Sequence, residues 1–219
     1  MRKVIYTAIS LGYDTLKEPK VITPGWEYVC YTNDFNLKSN VWKIIPVEMK
    51  FIYQVRMLKI LPPFPYDISI WLDGSMEVNC NLDDFIKKYH STQFTVMQHP
   101  HRSCIYQEAE VCIRKQKDNP QIIALQTETY RVMDYPSNAG LVATGILVRD
   151  NNSSVIEFCK KWYSEVRQHS IRDQLSFNFV MHFNPIQYNL IPFSILTNEF
   201  IIHKHTRIYG SHTNSAGIN

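Results

Sequence analysis

The chain has 219 residues, 45% of them hydrophobic and 20% charged, with a formal net charge of +3. These figures describe one domain, or one with a small appendage, with a full core, and an ordered globular protein rather than a disordered one. The Lys and Arg residues are scattered rather than gathered in a stripe, which argues against a nucleic-acid partner and permits an anionic small ligand.

The five cysteines are odd in number and contain no C-x-x-C pair, so no zinc ribbon or dithiol motif is on offer and reduced, buried thiols are expected. No apolar run approaches the ~20 residues that span a bilayer, and no secretory leader precedes the apolar segment at Lys3-Val4-Ile5-Tyr6. A soluble, cytoplasmic protein without a membrane span is the expectation.

In chain order, Val4 to Ile9 reads as a β-branched strand, followed by a polar loop from Gly12 to Pro24. Tyr28 to Thr32 and Trp42 to Pro46 read as short strands. Between Tyr53 and Leu61 the apolar residues Val55, Leu58 and Leu61 recur at spacing three, a short helix halted by Pro62-Pro63. A strand at Ile68 to Leu72, a helix near Leu82 to Tyr89 and a strand at Phe94 to Gln98 follow. Ile105 to Lys117 and Gln121 to Met133 read as helices broken at Asn119-Pro120, and Leu141 to Val148 as a strand. From Ser153, read as an N-cap, the residues Val155, Phe158, Cys159, Trp162 and Val166 mark a core-facing helix. Arg172 to His182 reads as another helix, and Ile201 to His205 as a late strand. Strands separated by helices or long crossovers point to an α/β fold with a mostly parallel sheet. A single domain over 1–209 with a mobile tail at 210–219 is expected.

The P-loop, the G-x-G-x-x-G fingerprint, the G-x-S-x-G elbow and H-E-x-x-H are all absent. The strongest local feature is Trp71-Leu72-Asp73-Gly74-Ser75, where an apolar strand stops at a carboxylate in a glycine turn. The rim at the carboxyl ends of the strands is where open α/β sheets bind ligands, and Asp73 with Ser75 offers hard oxygen ligands to a divalent cation. Read plainly, the tripeptide is a strand ending in a turn. In His203-Lys204-His205, residues two apart on a strand face the same way, and imidazole suits Mn- or Zn-type cations. Lys204 and Arg207 are types that pair with phosphate. Asp173 stands at a helix start, where Asp is commonly only a cap; otherwise Asp173 or Gln174 would stabilise positive charge on a reacting sugar. In His99-Pro100-His101-Arg102, followed by Tyr106, Glu108 and Glu110, the two carboxylates diverge on a helix, so at most one faces a pocket.

Together with Thr7-Ala8-Ile9, Gly12-Tyr13-Asp14, Tyr31-Thr32-Asn33 and Arg56…Lys59-Ile60-Leu61-Pro62, these segments resemble the glycosyltransferase-like domain of the plant mucilage and pollen-tube type. Trp71 to Ser75 and Arg172-Asp173-Gln174-Leu175-Ser176-Phe177 are the most specific of them. The resemblance runs from about Lys3 to Arg207 and implies a glycosyltransferase-A fold that moves a sugar from a nucleotide-diphosphate donor to a saccharide or other hydroxyl acceptor, in surface polysaccharide or glycan synthesis. It implies a Mn²⁺ or Mg²⁺ site at Asp73 and Ser75, with His203 or His205 as the C-terminal ligand, although Ser75 stands where the superfamily's Asp-x-Asp motif has its second acid. It also implies donor or phosphate contacts from Thr7, Ala8, Asp14, Arg56, Lys59, Arg102, Lys204 and Arg207, and places Asp173-Gln174 beneath the donor sugar. Two other classes share these residues: a metal-dependent hydrolase using water as acceptor, and a nucleotide-sugar-binding module with a degenerate site.

Overall fold

The computed structural model describes residues 1–10, 12–49 and 52–205. Arg207 and the expected tail at 210–219, with the domain boundary at 209, lie outside the described residues. The first half carries strands β1 (Lys3–Ile9), β2 (Trp26–Thr32) and β3 (Lys43–Pro46), helix α1 (Ile52–Ile60), strands β4 (Ile68–Leu72) and β5 (Met76–Val78), helix α2 (Leu82–Tyr89) and strand β6 (Phe94–Gln98). The second half carries α3 (Ile105–Arg114), α4 (Pro120–Val132), β7 (Val142–Asp150), α5 (Ser153–Gln168), α6 (Asp173–Phe183), β8 (Asn189–Ile191), α7 (Ile195–Asn198) and β9 (Phe200–Ile202).

Seven strands form one sheet in the order β3-β2-β1-β4-β7-β6-β8, and β5 pairs with β9 in a small second sheet. The pairs β3–β2, β2–β1, β1–β4 and β6–β8 are parallel, while β7 runs antiparallel to both β4 and β6. The mostly parallel sheet inferred from the alternation is therefore the observed one.

Alternation along β1 divides the core. Val4, Tyr6 and Ala8 pack on one face with residues of α1, α3, α5 and α6, and Ile5 and Ile9 pack on the other with α2, β5 and α7. Helices on both faces bury the sheet as two apolar layers, the arrangement that near-continuous apolar strands require. Helix α5 buries Val155, Phe158, Cys159, Trp162 and Val166, as their spacing dictates, but its N-cap is Asn152, whose side chain accepts from the Val155 N–H, and not Ser153. The five cysteines are free, four of them buried. Three short elements have no sequence periodicity to reveal them: β5, β8 and α7. The late strand ends at Ile202, so His203 to His205 follow it and do not alternate along it.

Candidate active site

Strands β1 and β4 run parallel, so their carboxyl ends share one rim. Asp73 follows the last residue of β4, and its N–H donates to the Gly145 carbonyl of β7 at 2.9 Å. Gly74 presses against β1: a Cβ there would meet Ile9 Cδ1 at 2.6 Å and the Ala8 carbonyl oxygen and Asp14 Cβ at 3.4 Å each. A side chain there would push the Ile9 tip aside, and the same close approach brings Asp14 beside the Asp73 turn.

The partner strand is also shaped for the site. Val96 stands opposite Leu147, but its neighbour Met97 stands opposite Ala143, so Thr144, Gly145 and Ile146 have no partners on β6. Such bulges re-aim side chains next to functional sites. Here the bulge sends Thr144 Oγ1 to donate to Asp173 Oδ2 at 2.9 Å, and a Cβ on Gly145 would lie 3.4 Å from Asp73 Oδ2.

The third wall is α1. Arg56 and Lys59 lie one turn apart on one face, and both line a cleft of about 180 Å³ together with Asp73, Thr144, Gly145, Arg172, Asp173 and Gln174. Lys59 is 1% exposed. Its ammonium lies 2.8 Å from Asp173 Oδ2 and 3.3 Å from Asp73 Oδ1, with Thr144 Oγ1 also at 3.3 Å. Its main-chain carbonyl accepts from the Tyr6 hydroxyl at 3.0 Å and from the fully buried Arg149 guanidinium at 2.8 Å, and Arg149 in turn donates to Tyr6. Lys59 is therefore fixed at both ends.

Asp173 is the first residue of α6, but its carboxylate caps nothing. Arg56 Nη1 lies 3.4 Å from Oδ1, and Lys59 and Thr144 hold Oδ2. Its main-chain carbonyl accepts from Trp162 Nε1 at 2.9 Å. Burial alone would push this carboxyl up; the charges of Arg56 and Lys59 and the Lys59 hydrogen bond outweigh it and hold the group well below the usual carboxylate range. A buried, ionised carboxylate with specific cationic partners in a cleft marks a functional site. The opposite wall is apolar, made by Met76, Met97, Phe193, Leu196 and Ile202.

The remaining expected residues divide. Gln174 lines the cleft. Thr7 is buried on β1 with its hydroxyl unpartnered among the described residues, and Ala8 supports the Gly74 turn; neither lines the cleft. Arg102 does not line it either: its Nε donates to Glu108 Oε2 at 2.6 Å, where Cys112 also donates to Oε1. Glu108 is buried, and Glu110 faces solvent. Lys204 is exposed. Arg172, Thr144, Gly145 and the two methionines were not foreseen as site residues. Gly145 inside a β-branched strand was the available signal of a bulge.

The cation implied by the resemblance meets a donor set that does not fit it. Asp73 Oδ1 accepts from Trp71 Nε1 at 2.7 Å and faces the Lys59 ammonium. Ser75 is buried, and its carbonyl accepts from the His203 N–H at 2.8 Å. The His203 ring lies 2.7 Å from Glu77 Oε2, and the His205 ring lies 2.9 Å from Asp14 Oδ1. The expectation that the two imidazoles project together from a strand is therefore corrected, because the strand ends before them and each ring meets a different carboxylate. Among the described residues no three His, Cys, Asp or Glu side chains are grouped to hold a metal ion.

The TOD1/MUCI70 glycosyltransferase-like domain model matches residues 32–205, most of the chain, and the protein belongs to that family. The match begins at the end of β2, so β1 lies outside it. Among solved structures, the apo form of mouse xyloside xylosyltransferase 1 is similar at 10% identity over 87% of this chain and 85% of that one, with a TM-score of 0.47. No curated protein sequence matches the chain. No helix among the described residues is long and apolar enough to cross a membrane.

Proposed function

We propose that the protein transfers a sugar from a nucleotide-diphosphate donor to a hydroxyl acceptor, with the diphosphate bound beside Arg56 and Arg172 and the sugar above Asp173. The observation that carries this reading is the Asp173 carboxylate, buried and ionised at the floor of a cleft whose charged lining is three basic side chains and two acids. In the reaction the bond from the anomeric carbon to the diphosphate oxygen breaks, and its electron pair leaves with that oxygen. The acceptor oxygen bonds to the anomeric carbon, and its proton ends on the departing diphosphate. Positive charge develops on the sugar as the bond breaks, and a fixed carboxylate close by stabilises it. Basic side chains meet the negative charge on the leaving group.

Incubating the chain with a panel of nucleoside-diphosphate sugars, with and without saccharide acceptors, tests the assignment. Sugar transferred to an acceptor supports it. Sugar released equally without acceptor identifies a hydrolase, and tight binding with no turnover identifies a binding module. Arg56→Ala should weaken nucleoside-diphosphate binding by about 1.5–3 kcal/mol, the worth of a charge-assisted hydrogen bond. Unchanged affinity in that variant removes Arg56 from the donor site.

A further inference from the structure

We propose that Lys59, Arg56 and Arg172 take the place of a divalent cation in this cleft, so that a diphosphate group is held there without metal. The inference rests on the reading of the cleft as a donor site.

A divalent cation serves a leaving diphosphate by neutralising it at a fixed position. Lys59 already occupies that kind of position. Its ammonium sits between Asp73 and Asp173, 3.3 Å from one carboxylate and 2.8 Å from the other. A cation on Asp73 Oδ1 would stand about 2.0–2.6 Å from that oxygen, which the Lys59 ammonium already faces at 3.3 Å. The Lys59 main chain is gripped by Tyr6 and Arg149, and its Nζ is bonded on the far side to Asp173 and Thr144. Moving it away would leave Asp173 short of a partner in a buried place.

The other groups agree. Ser75 is neutral where a second acid would strengthen cation binding. The His203 ring is engaged by Glu77 and the His205 ring by Asp14, which stands beside the Asp73 turn but does not line the cleft. The charged residues lining the cleft are Arg56, Lys59 and Arg172 against Asp73 and Asp173. With Lys59 shared between the two acids, the arginines leave the cleft with an excess of positive charge. The buried Nε of Arg172 has no hydrogen-bond partner among the described residues. Planar guanidinium groups suit phosphate oxygens.

Titration calorimetry of the full chain with inorganic pyrophosphate and with uridine, guanosine, adenosine and cytidine diphosphates, in excess EDTA and then in millimolar Mn²⁺, tests the inference. At least one of these should bind in EDTA with a Kd within about threefold of its value in Mn²⁺, since a ligand that does not depend on the metal is not linked to it. Binding seen only in Mn²⁺ overturns the inference and leaves the donor-site reading standing; binding under neither condition overturns both. The substitution Asp73→Asn gives a test by sign. Removing a negative charge from the cleft should tighten pyrophosphate binding, whereas loss of a metal ligand would weaken it. Mn²⁺ should leave the melting temperature of the wild type unmoved and raise that of Lys59→Ala, which opens a cation-sized gap between two carboxylates. If Lys59→Ala does not fold, the EDTA comparison on the wild type and the sign of the Asp73→Asn effect decide the matter.

Discussion

Asp73 and Asp173 accept from the same lysine and stand in opposite surroundings. The Asp73 side chain is 37% exposed at the rim, where Gly74 and Gly145 leave it room; that of Asp173 is 3% exposed, enclosed by Arg56, Lys59 and Thr144. The rim acid shares its charge with water, and the floor acid shares it only with protein. The lesson is that residue type fixes the chemistry available and surroundings fix which part of it is used. The floor carboxylate is preorganised and ionised, suited to meeting charge that develops on a sugar. The rim carboxylate has one oxygen held by Trp71 and Lys59 and remains partly open to solvent.

The difference is broken first by deletion. Asp173→Ala leaves the Lys59 charge buried with one acid fewer and should cost about 3–5 kcal/mol of stability, read by urea denaturation, whereas Asp73→Ala leaves Lys59 its Asp173 partner and should cost less, about 1–3 kcal/mol for the Trp71 donor that loses its acceptor. Equal costs would erase the distinction. Asp173→Asn keeps the shape, and once donor and acceptor are in hand it should lower kcat by ~10²-fold or more. A kcat near that of the wild type would make Asp173 a structural residue.

Acid stability brings in a third carboxylate, Asp14. The folded pKa of Asp173 lies below its unfolded value, so its contribution is complete above about pH 4 and is lost as the pH falls through the lowered folded value. Asp14 has the opposite sign. Burial pushes it up, contact with His205 opposes this, and the charge of Asp73 adds to the rise. Its contribution is complete below about pH 4 and is lost as the pH rises through the raised folded value. Asp173→Asn should therefore flatten the acid limb of a stability-against-pH curve, while Asp14→Asn should stabilise at neutral pH and have no effect at the acid end. Matching profiles for the two variants would refute the assigned environments.

The rim was more legible in the sequence than the floor. Asp73 announces itself because an apolar run ends on it, and helix α2 and strand β6 have the bounds that the sequence suggests. Asp173 was legible only through the resemblance, since Asp in a first helical turn is ordinarily a cap and nothing local says that its oxygens turn inward to Lys59. Lys59 itself reads as one more charge on a short helix; its burial follows from long-range contacts with Tyr6, Arg149 and Thr144, which no local pattern encodes. The histidine pair was misread because alternation was extended past Ile202, where β9 stops. The family model and the fold agree with the α/β reading, while the bulge at Thr144 to Ile146 needed the partner strand to be seen.

A smaller effect is expected at Gly145. A Cβ there would meet Met76 Cε at 2.5 Å and Met97 Cε at 3.3 Å, both the ends of flexible side chains, and would make ordinary contact with Asp73 Oδ2 at 3.4 Å. Gly145→Ala should cost about 1 kcal/mol, at the mild end of overpacking, because the methionines can move. The displaced methionines line the cleft beside Asp73, so nucleoside-diphosphate affinity should fall more than stability does. A variant that loses stability and keeps affinity would show that the bulge shapes the core and not the rim.

The smallest effects belong to the two histidines, and they also distinguish rim from floor. His205 is half-exposed on Asp14, so His205→Ala should change stability by no more than ~1 kcal/mol, with less effect in high salt. His203→Ala should cost more, because Glu77 is nearly buried and its other basic neighbour, Lys20, lies 3.9 Å away. Neither ring lines the cleft, so pyrophosphate binding in Mn²⁺ should stay within about threefold of the wild type in both variants, a change of well under 1.4 kcal/mol. Thermal melts and calorimetry on the two variants measure all three expectations. A tenfold or larger loss of binding in either variant, seen in Mn²⁺ and absent in EDTA, would place that histidine in a ligand set with Asp73. The rim would then be a cation site, and the contrast between a partly open rim and a fixed floor would have to be redrawn around the metal.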